Sequence, residues 1–183
     1  MSQKRIFIAG FGGQGVLLIG QLIAYAAMYE NKKVTWMPSY GPEVRGGTAN
    51  CTVIISDETI ASPLVSSCDI LVVMNGPSLE RFEHMLIPGG ELFINESIIS
   101  DKNSRADISV NYVDCTGIAV EKLGNAKTAN MVMLGAMIKK AGIVETAAMK
   151  KAFEAVFCGS KANHISLNME ALNSWEVEGS PRN

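Results

Sequence analysis

The sequence lacks several features that would point to catalysis or to a metal site. No two of its four cysteines have the C-x-x-C spacing of iron–sulfur or zinc ligands: Cys51, Cys68, Cys115 and Cys158. The two histidines, His84 and His164, have no plausible catalytic partner in sequence, and there is no G-x-S-x-G elbow and no clustered pair of carboxylates. We therefore expect buried free thiols at Cys51 and Cys68, and neither a catalytic residue nor a metal site in this chain.

Long apolar runs and an excess of positive charge are also missing. No run approaches the about 20 apolar residues of a transmembrane helix, and the N-terminus lacks the apolar region of a signal peptide. The formal net charge of −2 shows no excess of the positive charge that nucleic-acid-binding proteins use to contact phosphates. These absences predict a cytoplasmic chain with no membrane or nucleic-acid partner, and the length of 183 residues predicts a single domain, 1–183.

Charged residues are scarce, and apolar residues are abundant. They make up 19% and 48% of the chain, and ten methionines add adaptable apolar surface. Two explanations remain open: a partner covers part of this surface, or the chain has a well-filled α/β core.

A glycine loop near the N-terminus is the first pattern that suggests a ligand. An apolar run at 6–9 predicts a buried strand, a helix is predicted from about Gln14 to Glu30, and Gly10, Gly12 and Gly15 lie between with G-x-G-x-x-G spacing. In such loops the first glycine permits the turn, the second lets a ligand approach, and the third lets helix and strand pack closely. The loop predicts a phosphate-bearing ligand at the helix start, with a glycine turn that only packs as the alternative.

The carboxylate that a nicotinamide-binding fold requires is absent from its expected place. An Asp or Glu near the end of the second strand would bind the ribose hydroxyls. The strand predicted at 33–37 ends in Met37, and the first carboxylate is Glu43, beyond a Tyr-Gly-Pro turn. This absence argues against NAD as the ligand.

Strands and helices alternate along the chain, which predicts an α/β fold. We expect a Rossmann-like, doubly wound, mostly parallel sheet with helices on both faces. Pro88, Gly89 and Gly90 predict a turn before the fifth strand, and the last third reads as helical. Because no helical pattern separates the second and third strands, we expect the third to leave the simplest Rossmann order, with an antiparallel direction as one option. The predicted strands are 6–9, 33–37, 51–56, 69–74, 91–95 and 110–114.

The segment from Pro38 to Asn50 is rich in proline and glycine and predicts a shaped loop without a regular element. In a doubly wound sheet it would lie at the carboxyl edge, beside the glycine loop. Arg45 there offers a planar clamp for phosphate or carboxylate. A surface loop with an Arg–Glu pair is the alternative.

A second candidate cation precedes an apolar helix predicted at 128–140. Lys127 comes just before this helix, and Asn130 lies in its first turn. Lys127 could bind an anionic ligand; a solvated lysine and a capping amide are the alternative. The helix is apolar on nearly all sides, which predicts burial in the core or under a partner.

Three segments together resemble the gamma subunit of the 2-oxoacid:ferredoxin oxidoreductases, the family that acts on pyruvate, 2-oxoglutarate and branched-chain 2-oxoacids. They are the glycine loop, SYGPEVRGGTANCTVIIS and GNAKTANMVMLGA, in this order. The run from Tyr40 to Gly47, Y-G-P-E-x-R-G-G, is the most specific of them. The resemblance spans roughly residues 4–143.

The resemblance implies a non-catalytic subunit that contributes a coenzyme A surface. It places thiamine diphosphate on the alpha and beta subunits and the iron–sulfur clusters on other chains, with a delta subunit expected in the complex and ferredoxin contacted indirectly. The family often has Arg where this chain has Lys127, which keeps the charge and loses the planar fork. The residues carried over to coenzyme A binding are Gly10, Gly12, Gly13, Gln14, Gly15, Tyr40, Glu43, Arg45, Lys127 and Asn130.

Two functions from different classes remain in competition. One is the gamma subunit, which predicts no turnover by the chain alone. The other is a self-sufficient nicotinamide-dependent oxidoreductase, for which the sequence offers no ribose carboxylate and no proton-transfer residue near the loop. A scaffold without any ligand is a third option.

Overall fold

The structure, a computed structural model, describes residues 3–41, 47–100, 103 and 105–176; for residues 160 and 161 it describes the backbone only. Within these residues it forms one six-stranded sheet. Its strands are β1 Lys4–Phe11, β2 Lys33–Tyr40, β3 Thr48–Ser56, β4 Cys68–Val73, β5 Leu86–Asn95 and β6 Ser109–Val113.

Six α-helices occur within the same described residues. Their bounds are α1 Val16–Tyr29, α2 Gly76–Phe82, α3 Cys115–Leu123, α4 Ala129–Ala141, α5 Thr146–Val156 and α6 Ile165–Asn173. The helix predicted from Gln14 therefore begins two residues later, because Gly15 takes a left-handed conformation (φ 72°) that ends the loop. None of the helices described is long and apolar enough to cross a membrane.

The sheet confirms the Rossmann-like prediction with one departure. Its strand order is β2-β3-β1-β4-β5-β6. β1, β4, β5 and β6 pair in parallel, whereas β3 lies between β2 and β1 and is antiparallel to both. A direct hairpin from β2 to β3 needs no crossover helix, and this explains the missing helical pattern between them.

The segment predicted as an irregular loop from Pro38 to Asn50 is shorter than expected. β2 continues through Tyr40 and β3 begins at Thr48, so regular pairing covers both ends of the segment and leaves only residues 41–47 between the two strands. Pro38 fits in β2 because this strand forms the sheet edge, where a missing N–H costs no ladder bond. Residues 42–46 lie outside the described part of the chain.

The prediction that Pro88–Gly90 form a turn before the fifth strand is wrong. These residues lie inside β5, where the pairing shifts from Cys68–Leu86 to Ile70–Glu91. The extra residues on β5 form an irregularity, and Gly89 adopts φ 77° within it. The strand continues on both sides, so proline and glycine mark a bulge here.

The helices divide unequally between the two faces of the sheet. α1, α3, α4, α5 and α6 contribute to the larger core, while α2 covers the other face through Leu79 and Phe82. All ten residues from Ala129 to Ile138 of α4 are buried. This apolar helix is thus covered by its own chain, as the core alternative predicted.

Candidate functional site

The candidate site lies where the strand order of the parallel sheet changes direction. From β1 the chain goes to β2 and β3 on one side, and later strands continue through β4 to the other side. In open α/β sheets the crevice outside the carboxyl ends of the strands at such a point is the usual ligand site. The glycine loop follows β1 there, as predicted, and Gly12 N donates to Gly47 O at 2.9 Å, which joins it to the β2–β3 turn.

The glycines of the loop have different tasks from those that their spacing suggested. Gly10 lies within β1, and a Cβ on it would be 2.8 Å from Val16 Cγ1 and 3.0 Å from Met74 Cβ, so close packing is required here. Gly13 (φ 101°) and Gly15 (φ 72°) supply the left-handed turn. Gly15 packs against α4, since its Cβ would be 2.2 Å from Asn130 Nδ2.

Gln14 holds the loop against the end of β4. Its Oε1 accepts hydrogen bonds from Phe11 N (2.7 Å) and Asn75 Nδ2 (2.8 Å), and its Nε2 donates to Met74 O (3.0 Å). Each of its side-chain polar atoms therefore has a partner within the chain. The predicted ligand residue Gln14 acts here as a positioning residue for the loop.

The backbone amides of the loop and of the first turn of α1 differ in their availability to an anion. Those of Gly12 and Gln14 already donate within the chain, to Gly47 O and Phe11 O. The N-cap Gly15 has no side chain to bond the first turn, so for the amides of Val16, Leu17 and Leu18 we find no partner among the described residues. These three carry the partial positive charge of the helix start.

A first cavity opens between the glycine loop and the β2–β3 hairpin; we call it the hairpin cavity. Its volume is about 440 Å³. Tyr40 stands at its edge and is 72% exposed. The lining is Phe11, Gly12, Gly13, Gly15, Val16, Leu17, Leu18, Tyr40, Gly47, Thr48 and Ala49. Backbone amides and apolar side chains dominate this surface.

A second cavity lies on the other side of Gly13; we call it the amide cavity. Its volume is about 280 Å³, and Gly13 borders both cavities. Side-chain amides, a hydroxyl and an ammonium group distinguish its lining from that of the hairpin cavity. The lining is Gly13, Gln14, Met74, Asn95, Ile98, Thr116, Ala126, Lys127, Ala129 and Asn130.

Lys127 and Asn130 reach the amide cavity from the start of α4. Asn125 caps the short 3₁₀ turn Ala126–Thr128 by accepting from Lys127 N (3.1 Å), and the Lys127 side chain is exposed. Asn130 is buried and its Nδ2 is 3.5 Å from Gly15 O, a long contact. The structure thus brings both residues to the glycine loop, and their role in binding a ligand stays a prediction.

Two further polar residues of this cavity were not predicted. Asn95 ends β5 and is 1% exposed, and its Oδ1 has no hydrogen-bond partner in the part of the chain that the structure describes. Thr116 lies in the first turn of α3, just after β6. Each lies at or just after the carboxyl end of a parallel strand. That position in the sequence could have identified them as candidate site residues. The remaining predicted residues, Glu43 and Arg45, lie outside the described part of the chain.

The thiols offer no nucleophile at this site. Burial raises the pKa of Cys51, Cys68 and Cys115 to about 12 each, which keeps them protonated. Cys51 and Cys68 are buried free thiols, as predicted. No group of three or more His, Cys, Asp or Glu able to hold a metal occurs within residues 3–41, 47–100, 103 and 105–176.

Comparison with known proteins identifies the family. Residues 5–174 match the pyruvate ferredoxin/flavodoxin oxidoreductase family. The chain belongs to this family. A solved family structure, the keto/oxoacid ferredoxin oxidoreductase gamma subunit from Geobacter sulfurreducens, is 30% identical with a TM-score of 0.78, and the match covers 93% of this chain and 95% of that one.

Two family members with assigned names are more similar in sequence. The 2-oxoglutarate synthase subunit KorC of Methanocaldococcus jannaschii is 38% identical over 82% of this chain and 81% of its own length. The ketoisovalerate oxidoreductase subunit VorA of Methanothermobacter thermautotrophicus is 40% identical over 94% of this chain. The match spans only 35% of VorA, so this chain corresponds to about a third of that relative.

Proposed function

We propose that this chain is the gamma subunit of a multi-subunit 2-oxoacid:ferredoxin oxidoreductase. Such a complex converts a 2-oxoacid, coenzyme A and oxidised ferredoxin to acyl-CoA, CO2 and reduced ferredoxin. The chain contributes a coenzyme A surface and subunit contacts, and performs no bond chemistry itself. The observation that carries the ligand part is that Gly13 borders both cavities, so one ligand lying across this glycine would reach each of them.

The charges of coenzyme A match the groups around the glycine loop. Its diphosphate is suited to the amides at the start of α1, where the helix dipole favours an anion. Its 3′-phosphate is suited to Lys127, an exposed cation on the far side of Gly13. β2 ends in Pro38, Ser39 and Tyr40 with no carboxylate, and a carboxylate there would repel a phosphorylated ribose.

The redox chemistry falls to partner chains under this proposal. Thiamine diphosphate would lie on the alpha and beta subunits, and the iron–sulfur clusters on other chains, including a delta subunit. The dispersed cysteines, three of them buried, are consistent with that division. Ferredoxin would be contacted only indirectly, and Glu43 and Arg45 stay predicted contacts to the ligand or to a partner.

Calorimetric titration of the full chain tests the ligand part. We expect saturable binding of coenzyme A, weaker binding of 3′-dephospho-coenzyme A, and no tight binding of NADH. Tight NADH binding without a coenzyme A response would overturn the proposal and favour the nicotinamide-dependent oxidoreductase. Absence of any binding would contradict a coenzyme A surface that functions in this chain alone.

Two lysines, one just before α4 and one near its end, provide a matched pair of variants for this titration. Lys127 precedes the helix at the amide cavity, whereas Lys140 is equally exposed near the other end. Lys127→Ala should weaken coenzyme A binding by up to about fivefold, because an exposed ion contact contributes at most about 1 kcal/mol, and should remove the preference over the dephospho form. Lys140→Ala should change neither value.

A further inference from the structure

A chain of side-chain amides crosses the carboxyl ends of β1, β4 and β5. Gln14 Nε2 donates to Met74 O at 3.0 Å, and Asn95 Nδ2 lies 3.5 Å from the same oxygen. Asn75 Nδ2 donates to Gln14 Oε1 at 2.8 Å, while Asn75 Oδ1 accepts from Ser78 N at 3.0 Å. A backbone carbonyl accepts and never donates, so Met74 O determines which way the Asn95 amide is turned.

This orientation leaves Asn95 Oδ1 as a buried acceptor that has no donor among the described residues. Buried polar atoms in native proteins are nearly always paired, and each exception calls for an explanation. Asn95 is 1% exposed and lines the amide cavity. Lys127 and Thr116 line the same cavity. The residue that carries this unpaired oxygen thus lines the cavity that a ligand at the glycine loop would enter.

We propose that Asn95 Oδ1 accepts a hydrogen bond from a hydroxyl or amino group at the nucleoside end of the bound ligand. This inference rests on the proposed function, in which the ligand is coenzyme A. The nucleoside end carries a ribose hydroxyl and an exocyclic amine as donors, and the 3′-phosphate beside them is the group that Lys127 meets. Asn95 is a specificity residue in this scheme and takes no part in bond chemistry.

The contrast between the two cavities determines the direction of the ligand. The hairpin cavity has apolar side chains such as Leu17 and Tyr40, whereas the amide cavity has Asn95, Thr116 and Lys127. The nucleoside therefore occupies the amide cavity, the diphosphate crosses Gly13, and the thiol-bearing arm extends through the hairpin cavity toward the β2–β3 turn.

The test compares coenzyme A with two analogues on the wild-type full chain by calorimetry. One analogue has hypoxanthine in place of adenine, which replaces the amine by a carbonyl; the other lacks the ribose 2′-hydroxyl. We expect one of them to bind about fivefold to twentyfold more weakly, which identifies the donor. If both bind as tightly as coenzyme A, the inference is overturned.

A variant of Asn95 tests whether the weaker binding of an analogue is due to the Asn95 Oδ1 atom. Asn95→Leu removes the acceptor and should weaken coenzyme A binding by a similar factor while abolishing the discrimination between the analogues. Asn95→Leu also loses the Nδ2 donor to Met74 O, so urea unfolding must show that this variant is folded before its affinity is compared. Asn111→Leu is the control, because Asn111 also has a buried atom without a partner, Nδ2, but lines a different cavity beside β6.

The outcomes separate this inference from the proposed function. Wild-type binding of coenzyme A with an unchanged Asn95→Leu affinity would mean that Oδ1 is satisfied inside the chain, for example by an internal water, and would overturn the inference alone. An equal loss in Asn95→Leu and Asn111→Leu would also overturn it. No coenzyme A binding by the wild type would overturn the ligand proposal, and this inference with it.

Discussion

Gly15 and Asn130 touch across the site: a Cβ on Gly15 would lie 2.2 Å from Asn130 Nδ2 and 2.8 Å from its Cγ. The glycine loop and the start of α4 are 115 residues apart in sequence and meet at this point. Because Asn130 is buried at 6% exposure, it has little space to move away. The shape of the candidate site therefore depends on the absence of a side chain at position 15.

Gly15→Ala should destabilise the fold by about 3 kcal/mol, through left-handed backbone strain and the clash with Asn130. Gly13→Ala is the matched control, because Gly13 also has a positive φ but a Cβ there meets no atom within 4 Å. It should cost only about 1 kcal/mol. Urea unfolding measures both free energies. Equal losses of unfolding free energy in the two variants would show that only the backbone strain matters and that the Asn130 side chain moves aside without cost.

Gly135→Ala should also destabilise the protein, although alanine is the better helix former by about 1 kcal/mol. The new Cβ would lie 1.9 Å from Leu172 O, a backbone atom of α6 that cannot rotate away. We expect a net loss of about 2–3 kcal/mol. Gly20→Ala in α1 provides the comparison, since its nearest neighbours, Cys51 Sγ at 2.5 Å and Trp36 Nε1 at 3.0 Å, belong to side chains. A larger loss for Gly20→Ala in urea unfolding would contradict this reasoning.

The ion pair between Arg5 and Asp69 should make stability depend on acid pH. Arg5 Nε and Nη2 each donate to the Asp69 carboxylate at 3.0 Å, and Arg5 N donates at 2.7 Å. Burial alone would raise the pKa of Asp69, but the hydrogen bonds and charge of Arg5 outweigh it and lower the pKa. A lowered folded-state pKa means that the stabilisation is complete above about pH 4 and is lost as the pH falls through the folded value.

Asp69→Asn should therefore cost about 1–2 kcal/mol at pH 7 and progressively less below pH 4. Urea unfolding at pH 7 and pH 3 measures the difference. Asp107→Asn is the control, because the Arg105–Asp107 pair is exposed and its loss should have a much smaller effect at pH 7. A constant difference between wild type and Asp69→Asn across this range would contradict the assignment.

Thiol labelling should distinguish one cysteine from the other three. Cys158 is exposed, whereas Cys51, Cys68 and Cys115 are buried, and burial raises the pKa of each buried thiol to about 12. We expect one equivalent of a thiol reagent to react rapidly with the native chain at pH 8, and four after unfolding. Cys158→Ser should remove the rapid phase. A rapid phase that persists in this variant would show that a second thiol is accessible.

Periodicity and spacing were sufficient for most of the fold. The apolar runs gave the six strands, and the missing helix between β2 and β3 pointed to an unusual third strand, which is antiparallel in the structure. The predictions of a loop at Pro38 and of a turn at Pro88–Gly90 were wrong because edge strands and bulges tolerate residues that interior strands do not. That tolerance depends on the neighbouring strand, which local sequence does not reveal.

The candidate site was predictable in its location and less so in its contacts. Lys127 and Asn130 were identified from their position before an apolar helix, and the structure brings both to the glycine loop. Asn95 was missed because a single polar residue at a strand end is common, and its unpaired oxygen exists only once Met74 O has determined the orientation of the amide. The close packing at Gly15 likewise depends on Asn130, which is distant in sequence.

The hydrogen bond from Gly12 N to Gly47 O has a mechanical consequence. It joins the glycine loop to Gly47 just before β3, and a second bond, Gly41 N to Thr48 O at 3.3 Å, connects the adjacent ends of β2 and β3. Displacement of either segment strains the other. A protein that binds the β2–β3 hairpin would therefore change the affinity of the glycine loop for the proposed ligand. By thermodynamic reciprocity, the small molecule would change the affinity for that protein by the same factor.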